Sequence, residues 1–491
     1  MSAPPPAPDV APRSLVSNSS VLLAARVYGV LAGGVLAIVT VRVLSVEEYG
    51  RYATAMAIIV VVGVVAELGI SALATRQITL DEEHTDRILG VALSAEIVTA
   101  TVGAALLVPL GLALGYPGAV IGLLALGALL VLAQGALAAL GGAFQARRVF
   151  ELFALCTAVQ ATVMVGGGLA ALAAGLGAAG LVATAGLGYV AAAIAALVLL
   201  RRRLRVWPDF AGARRQIFAF LREAAPIAIV ASIAVIYGRV ALLMLSQLGD
   251  ERDVALYNLP LTIVELTFLV PAAIATSFYP LLTRQLTDDR DDAASSMDLL
   301  LRLFLLGSVP IALVLALGGS DLITLVFGDR YADSGDVMAI LAATIVANFF
   351  NYLAWYALLA GQRERRRVPA VMAGLALNVA LGVVLIPDHG ARGAAIALIV
   401  SDAFMVGWLL WVVHRQVVAL RAGAVVLRAV PAAVAATAVA LLPLPGGGLL
   451  KGLAASAAWI SVLLATRYIR GEEWDPLLAP LRALRQSRTK R

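Results

Sequence analysis

The chain has 491 residues and a formal net charge of +6; 61% of its residues are hydrophobic and only 14% are charged. A typical soluble domain is about half apolar and about a quarter charged. The composition therefore excludes an ordinary soluble protein and indicates a membrane protein. The single cysteine, Cys156, excludes an internal disulfide and a cysteine-ligated metal cluster, so we expect neither a metal site nor a cofactor.

The first 15 residues are rich in proline and alanine and predict a disordered cytoplasmic tail, without the features of a cleaved signal peptide. Apolar runs follow, each with roughly the 20 residues that one transmembrane helix needs. About 14 such runs lie near residues 19–44, 52–75, 88–114, 117–141, 150–174, 176–200, 224–248, 256–282, 299–318, 336–360, 368–387, 391–413, 425–443 and 448–469. Because barrel strands would alternate over ~10 residues, the sequence predicts an all-α polytopic membrane protein.

Basic residues concentrate in alternate loops between the predicted helices. With a cytoplasmic N-terminus, 29 of the 37 lysine and arginine residues fall in cytoplasmic segments and 5 fall in outside loops. Short loops rich in lysine and arginine stay on the cytoplasmic side of a membrane. The distribution therefore predicts that both termini are cytoplasmic (N-in/C-in).

A long basic segment divides the predicted helices into groups. The predicted order is an N-terminal lobe of six helices (16–200), a basic cytoplasmic linker (201–223), a C-terminal lobe of six helices (224–414), two further helices (415–470) and a basic cytoplasmic tail (471–491). Related hexapeptides, ATRQIT at 74–79 and LTRQLT at 282–287, end the second helix of each lobe. Because six is an even number, the lobes predict a parallel repeat about an axis along the membrane normal.

Residues 41–78, VRVLSVEEYGRYATAMAIIVVVGVVAELGISALATRQI, resemble the start of bacterial polysaccharide-unit flippases. These are the Wzx-type O-antigen and exopolysaccharide translocases of the multidrug/oligosaccharidyl-lipid/polysaccharide (MOP) superfamily. Four later segments are similar to family motifs in the same order: ALYNLP (255–260), SFYPLLTRQL (277–286), LVFGDRYADSGDVMAIL (325–341) and LNVALGVVLIPDHGARGAAIALIVSD (377–402). The chain departs from the family pattern at Ser45 and Val46, where Gly-Pro is frequent. It departs again at Ala241, where an acidic residue is frequent.

The resemblance implies a flippase rather than an enzyme. Such a protein moves an undecaprenyl-diphosphate-linked oligosaccharide from the inner to the outer leaflet of the bacterial cytoplasmic (inner) membrane by alternating access. The product serves O-antigen, capsule or exopolysaccharide biosynthesis. The implied partners are the lipid-linked oligosaccharide and membrane lipids; a polysaccharide polymerase and a chain-length regulator are candidates, and nucleic acid is not expected.

Ionisable residues within predicted spans are candidates for function because they are costly in a membrane. Guanidinium groups bind phosphate oxygens, so Arg26 and Arg239 are candidates for the diphosphate headgroup. Carboxyl groups can exchange H⁺ or Na⁺ during transport, which makes candidates of Glu67, Glu96, Glu265 and Asp402. The helix rise places Arg26, Glu67 and Glu96 roughly 10–12 Å from the inner ends of their helices. Structural ion pairs, Arg26–Glu67 and Arg239–Glu265, are the competing interpretation.

Polar and aromatic residues in the tenth predicted span are candidates for contacts with sugar. Asn348, Asn351, Tyr352 and Trp355 could hydrogen-bond to hydroxyl groups or stack on sugar rings. Helix packing and the interfacial aromatic belt are the alternative roles for these residue types.

Other functions are left open by the sequence. Lipid II flippases and multidrug or cation antiporters belong to the same superfamily as the polysaccharide-unit flippases that this sequence resembles. A membrane polysaccharide polymerase or ligase would need a large outside loop, and the longest predicted one, near 318–335, is short. A scaffold without transport activity would not require buried charges.

Overall fold

The computed structural model describes residues 28–29, 31–67, 69–443 and 445–468. These residues form helices without strands, which confirms the predicted all-α membrane fold. The helices are α1 (Leu31–Val43), α2 (Val46–Glu67), α3 (Ile70–Leu80), α4 (Thr85–Ala113), α5 (Gly118–Ala146), α6 (Phe150–Ala173), α7 (Gly177–Leu199), α8 (Ala213–Leu248), α9 (Glu251–Thr267), α10 (Leu269–Asp288), α11 (Arg290–Phe327), α12 (Ser334–Ala360), α13 (Arg367–Gln416), α14 (Ala422–Leu441) and α15 (Gly447–Ala465).

Eleven helical segments in the described part of the chain are long and apolar enough to cross a membrane. Two shorter apolar helical segments, α1 (Leu31–Val43) and the C-terminal part of α8 (Ser232–Leu248), lie within predicted spans. α13 is a 50-residue helix with non-helical backbone at Gly390, where the sequence places an outside loop between two spans. The total of fourteen spans and the N-in/C-in orientation stay predictions.

The chain divides into two compact units, Met1–Arg239 and Val240–Arg491. In the first unit, α5 packs against α2, α4 and α7, and α6 packs against α7. In the second unit, α11 packs against α12 and α15, α12 against α13, and α14 against α15. The boundaries of the predicted lobes, linker and tails stay predictions.

The basic segment after α7 packs back onto the first unit. Residues Leu200–Leu204 form one π-helical turn, and Val206 is buried with the apolar side chains of α4, α5 and α7. The backbone nitrogen of Asp209 donates to the carbonyl of Asp86 at 2.8 Å, and that of Trp207 donates to the Asp86 carboxylate at 3.1 Å. Hydrogen bonds therefore fix this segment against the start of α4.

Two helices that the sequence predicts as continuous are interrupted. The second predicted span breaks between α2 and α3 at Gly69, whose φ of 66° is the left-handed conformation that commonly ends helices. The eighth breaks between α9 and α10, after Thr267. Pro271 explains this break, because proline lacks the N–H that would bond to the carbonyl of residue 267 and its ring clashes with that carbonyl.

Candidate functional site

A buried carboxyl group lies in the interior of the first unit. Glu96 on α4 is only 1% exposed, and neither of its carboxylate oxygens has a hydrogen-bond partner among the described residues. The carboxylate lies against Gly135 of α5, where an added Cβ would be 2.1 Å from Glu96 Oε1. Because glycine has no side chain, position 135 provides the space that the Glu96 carboxylate occupies.

A second carboxyl group, that of Glu67, lies within electrostatic range of Glu96. Glu67 is the last residue of α2, and its Oε1 accepts a hydrogen bond from the Ser71 hydroxyl in the first turn of α3. The Glu67 and Glu96 carboxyl groups are near enough to interact electrostatically. Gln134 of α5 adds an amide to this region, with its side chain against Gly63 of α2.

Two neighbouring acidic groups in a low-dielectric interior repel each other when both are ionised. An isolated buried charge is also costly to remove from water. A proton or a small monovalent cation relieves both costs, so this pair can take up such an ion. The described residues contain no group of three or more His, Cys, Asp or Glu side chains that could hold a metal ion.

The arginine predicted to face these carboxyl groups lies outside the described residues. Arg26 precedes the first described position, so the Arg26–Glu67 ion pair and the diphosphate role of Arg26 stay predictions. Arg42, at the end of α1, is exposed.

The remaining predicted charges lie on three helices. Arg239 on α8 and Glu265 on α9 are both half-buried, and Asp402 on α13 is 4% exposed. Each of the three has an interaction partner. Arg239 ends the first unit and Glu265 belongs to the second, and their pairing stays a prediction.

The residues predicted to contact sugar all lie on α12 and are half-buried. Asn348 donates its amide to the carbonyl of Thr344 at 3.2 Å, within its own helix. The side-chain oxygen of Asn351 is buried and has no hydrogen-bond partner in the described part of the chain. Asn351 therefore has unused hydrogen-bonding capacity, whereas Asn348 is partly satisfied by its own helix.

An arginine that sequence reasoning missed lies beside these aromatic residues. Arg367, the first residue of α13, has its guanidinium carbon 4.6 Å from the ring centroid of Trp355. It also interacts electrostatically with Tyr352. The sequence signal is its place as the last arginine of RERRR (363–367), a run between the tenth and eleventh predicted spans that the positive charge assigns to the cytoplasmic side. The structure shows one member of that run turned inward onto an aromatic cluster.

A neighbouring helix completes this aromatic cluster. The Tyr356 hydroxyl lies 2.9 Å from the Thr276 hydroxyl of α10, and the rings of Tyr356 and Tyr279 meet edge to face with centroids 5.9 Å apart. Aromatic faces beside a guanidinium and hydroxyl groups can contact both sugar rings and their polar substituents.

The helices of this chain have the fold of solved polytopic membrane transporters. A lipid II flippase in an inward closed conformation has the same fold, with a TM-score of 0.73 and 13% identity, over 95% of this chain and 99% of that one. An inward-facing multidrug MATE transporter matches with a TM-score of 0.65 and 14% identity, over 81% of this chain and 97% of that one. A MOP-superfamily transporter from Pyrococcus furiosus matches with a TM-score of 0.56 and 14% identity, over 81% and 94% respectively.

The family is shown by the sequence itself. Residues 15–285, more than half of the chain, match the family model described as "Polysaccharide biosynthesis protein", and the chain belongs to that family. A search of curated proteins found no match. The family match confirms the predicted polysaccharide family, and the chain shares its fold with transporters of the MOP superfamily.

Proposed function

We propose that this protein translocates an undecaprenyl-diphosphate-linked oligosaccharide from the inner to the outer leaflet of the bacterial cytoplasmic membrane. The observation that carries the proposal is its membership of the polysaccharide-biosynthesis family in a chain with a flippase and transporter fold. Polysaccharide synthesis at a membrane requires that a hydrophilic saccharide on a lipid carrier crosses the bilayer. A polytopic helical protein can perform that step without covalent chemistry.

The extent of the shared fold favours a lipid-linked substrate over a multidrug substrate. The lipid II flippase shares its fold over 95% of this chain, and the multidrug transporter over 81%. About 14% more of this chain is therefore shared with the flippase than with the multidrug transporter.

The Glu67–Glu96 pair is the proposed coupling site. Uptake of H⁺ or Na⁺ by this pair would remove the repulsion between the two carboxyl groups and change how α2, α4 and α5 pack. An ion that binds one transport conformation more tightly than the other shifts the balance between them. Glu265 and Asp402 are the other carboxyl groups proposed to bind the coupling ion.

The proposed substrate contacts are arginine, asparagine and aromatic side chains. Arg26 and Arg239 would bind the diphosphate, since guanidinium groups pair bidentately with phosphate oxygens. Asn351, Tyr352 and Trp355 would contact the saccharide, and Arg367 would orient the Trp355 ring.

Deletion of the gene tests the proposal. We expect the deletion strain to lose surface polysaccharide and to accumulate the lipid-linked repeat unit in the inner leaflet, and plasmid expression of the intact chain to restore both. Unchanged surface polysaccharide in a strain without a second flippase would overturn the proposal. Accumulation of lipid II, with normal repeat units, would assign the protein to the alternative role of lipid II flippase.

A further inference from the structure

An acidic residue of the VEEYG segment (46–50) bonds to a helix that lies far away in the sequence. Glu48, in the first turn of α2, accepts a hydrogen bond at its Oε1 from the backbone nitrogen of Ala178 at 2.9 Å. Ala178 is the second residue of α7, and the first N–H groups of a helix have no partners within the helix. A carboxylate satisfies one of them and suits the positive end of the helix dipole. Glu48 therefore connects the start of α2 with the start of α7.

The second unit contains the same kind of contact. Asp253, in the first turn of α9, accepts a hydrogen bond at its Oδ1 from the backbone nitrogen of Ala391 at 3.3 Å. Ala391 follows Gly390, the residue with non-helical backbone inside α13, so it begins the second half of that helix. Asp253 therefore connects the start of α9 with the start of this half of α13.

The two carboxylates occupy corresponding positions in their units. Glu48 and Asp253 are 205 positions apart in the chain, and Ser45 and Asp250 have the same separation. The Ser45 hydroxyl accepts from the backbone nitrogen of Glu48 at 3.1 Å, and the Asp250 carboxylate accepts from that of Asp253 at 2.7 Å. This spacing predicts a local capping box, in which the acidic side chain bonds within its own helix. In both units, the acidic side chain instead bonds to another helix.

A glycine beside each contact leaves room for the carboxylate. Gly177 and Gly390 immediately precede the bonded residues and have positive φ angles of 54° and 50°. An added Cβ at either position would lie under 3.0 Å from an oxygen of the neighbouring carboxylate. Any other residue would therefore be strained in its backbone and would displace the acidic side chain. The acid and the glycine together favour the same contact in each unit.

We propose that Glu48 and Asp253 are positioning residues for transport, each of which fixes the starts of two helices of its own unit to one another. The distribution of basic residues predicts that all four helix starts lie at the outer face. Because a carboxylate connects them, the two helix starts of each unit move together when the outer side opens or closes. The part that this plays in transport rests on the proposed function, whereas the contact between the helices does not.

The first test measures the distance between the starts of α2 and α7 in the purified full-length protein. Nitroxide spin labels are attached at Glu47→Cys and Ala179→Cys, two exposed positions beside the contact, in a Cys156→Ala background. Double electron–electron resonance gives the mean distance and the width of its distribution. We expect a single narrow distribution for the chain with Glu48 intact. A broad distribution in that protein would overturn the proposal.

Three variants separate the carboxylate from the backbone. Glu48→Gln removes the charge, and Gly177→Ala displaces the carboxylate; we expect both to broaden the distance distribution. Gly175→Ala is the matched control, because Gly175 also has a positive φ, of 74°, but no atom lies within 4 Å of its added Cβ. An unchanged distribution in both Glu48→Gln and Gly177→Ala would overturn the proposal. Equal broadening by Gly175→Ala would overturn it as well, in favour of loop conformation.

The second test measures stability and export. We expect Glu48→Gln to lower Tm by about 2–4 °C, as loss of a helix cap does in a unit of this size. The double variant Glu48→Gln, Asp253→Asn should reduce surface polysaccharide in the complemented deletion strain at matched protein level. Glu47→Gln and Asp388→Asn, at exposed positions near the two carboxylates, are the controls and should leave export unchanged.

Export at the wild-type level in the double variant would overturn the part of these residues in transport. An equal loss of export in the two controls would overturn it too, in favour of a general effect of negative charge at this face. The distance measurement needs no substrate. Failure of the intact chain to restore export would therefore refute the proposed function and leave the result for the helix contact intact.

Discussion

Replacement of Glu96 separates a functional role of its carboxyl group from a structural role. The two roles predict changes of opposite sign in the stability of the protein. The carboxyl group is 1% exposed and has no hydrogen-bond partner among the described residues. A buried polar group without a partner costs about 1–3 kcal/mol of stability. Glu96→Met keeps the length of the side chain and removes that cost. We therefore expect Glu96→Met to stabilise the protein and, as the proposed ion site is lost, to abolish export.

The two effects need separate measurements. Thermal unfolding of the purified protein, followed by fluorescence-detected size exclusion, gives the change in Tm. Stabilisation by 1 kcal/mol raises Tm by about 2–4 °C in a unit of 150–250 residues, so a rise of several degrees is expected. Surface polysaccharide in the deletion strain, complemented with the variant at matched protein level, gives export. Glu96→Gln should also impair export, because an amide cannot take up a proton as a carboxylate does.

Gly135 offers a second perturbation of the same carboxylate without changing it. A Cβ at position 135 would lie 2.1 Å from Glu96 Oε1, so Gly135→Ala must displace the carboxylate. Gly122 lies on the same helix with no atom within 4 Å of its added Cβ, which makes Gly122→Ala the matched control. We expect Gly135→Ala to reduce export and Gly122→Ala to leave it unchanged.

A coupling role for Glu96 is refuted if Glu96→Met lowers Tm and leaves export at the wild-type level. That result would mean that the carboxyl group has a stabilising partner and no part in transport. Export unaffected by both Glu96→Gln and Gly135→Ala would equally contradict a coupling role.

Three further predictions concern residues outside the carboxylate pair. Arg147→Ala removes hydrogen bonds to the Glu82 carboxylate and carbonyl at 3.1 and 2.9 Å, and thermal unfolding should show a loss of about 1–2 kcal/mol; an unchanged Tm would contradict this. Burial raises the pKa of Tyr468 to about 12 from 10.0, so stability that is complete below pH 10 should decline towards pH 12. Tyr468→Phe should flatten that decline, and an equal decline would refute the assignment. A double-mutant cycle of Trp355→Leu and Arg367→Gln should give a coupling of about 0.5–2 kcal/mol in stability, whereas additive effects would exclude the cation–π contact.

Apolar composition was enough to predict the fold class because a run of about 20 apolar residues must be helical in a membrane. The breaks within two of the predicted helices could not be predicted from apolar composition, because they depend on the backbone conformation of single residues. Hydropathy continues unchanged across Gly69, although its positive φ separates α2 from α3. The proline at 271 was a readable signal for the break after Thr267, but it lies four residues beyond Thr267.

In the candidate site, the sequence predicts the depth of a residue along its own helix but not its contacts with other helices. The helix rise places Glu67 and Glu96 at similar depth, and in the structure the two carboxyl groups are near enough to interact electrostatically. Their role stays a prediction. Sequence could not assign Gly135 as the neighbour of Glu96, nor Arg367 as the partner of Trp355, because each contact joins two helices. Side-chain contacts between helices depend on rotation and crossing geometry, which hydropathy does not encode.

Translocation by the purified protein tests the central claim most directly. The protein is reconstituted in liposomes that contain an undecaprenyl-diphosphate-linked oligosaccharide, and a membrane-impermeant glycosidase measures the saccharide exposed outside. We predict that the protected fraction falls with time in wild-type proteoliposomes and falls much more slowly with Glu96→Gln. A protected fraction that stays equal to that of protein-free liposomes would contradict the account.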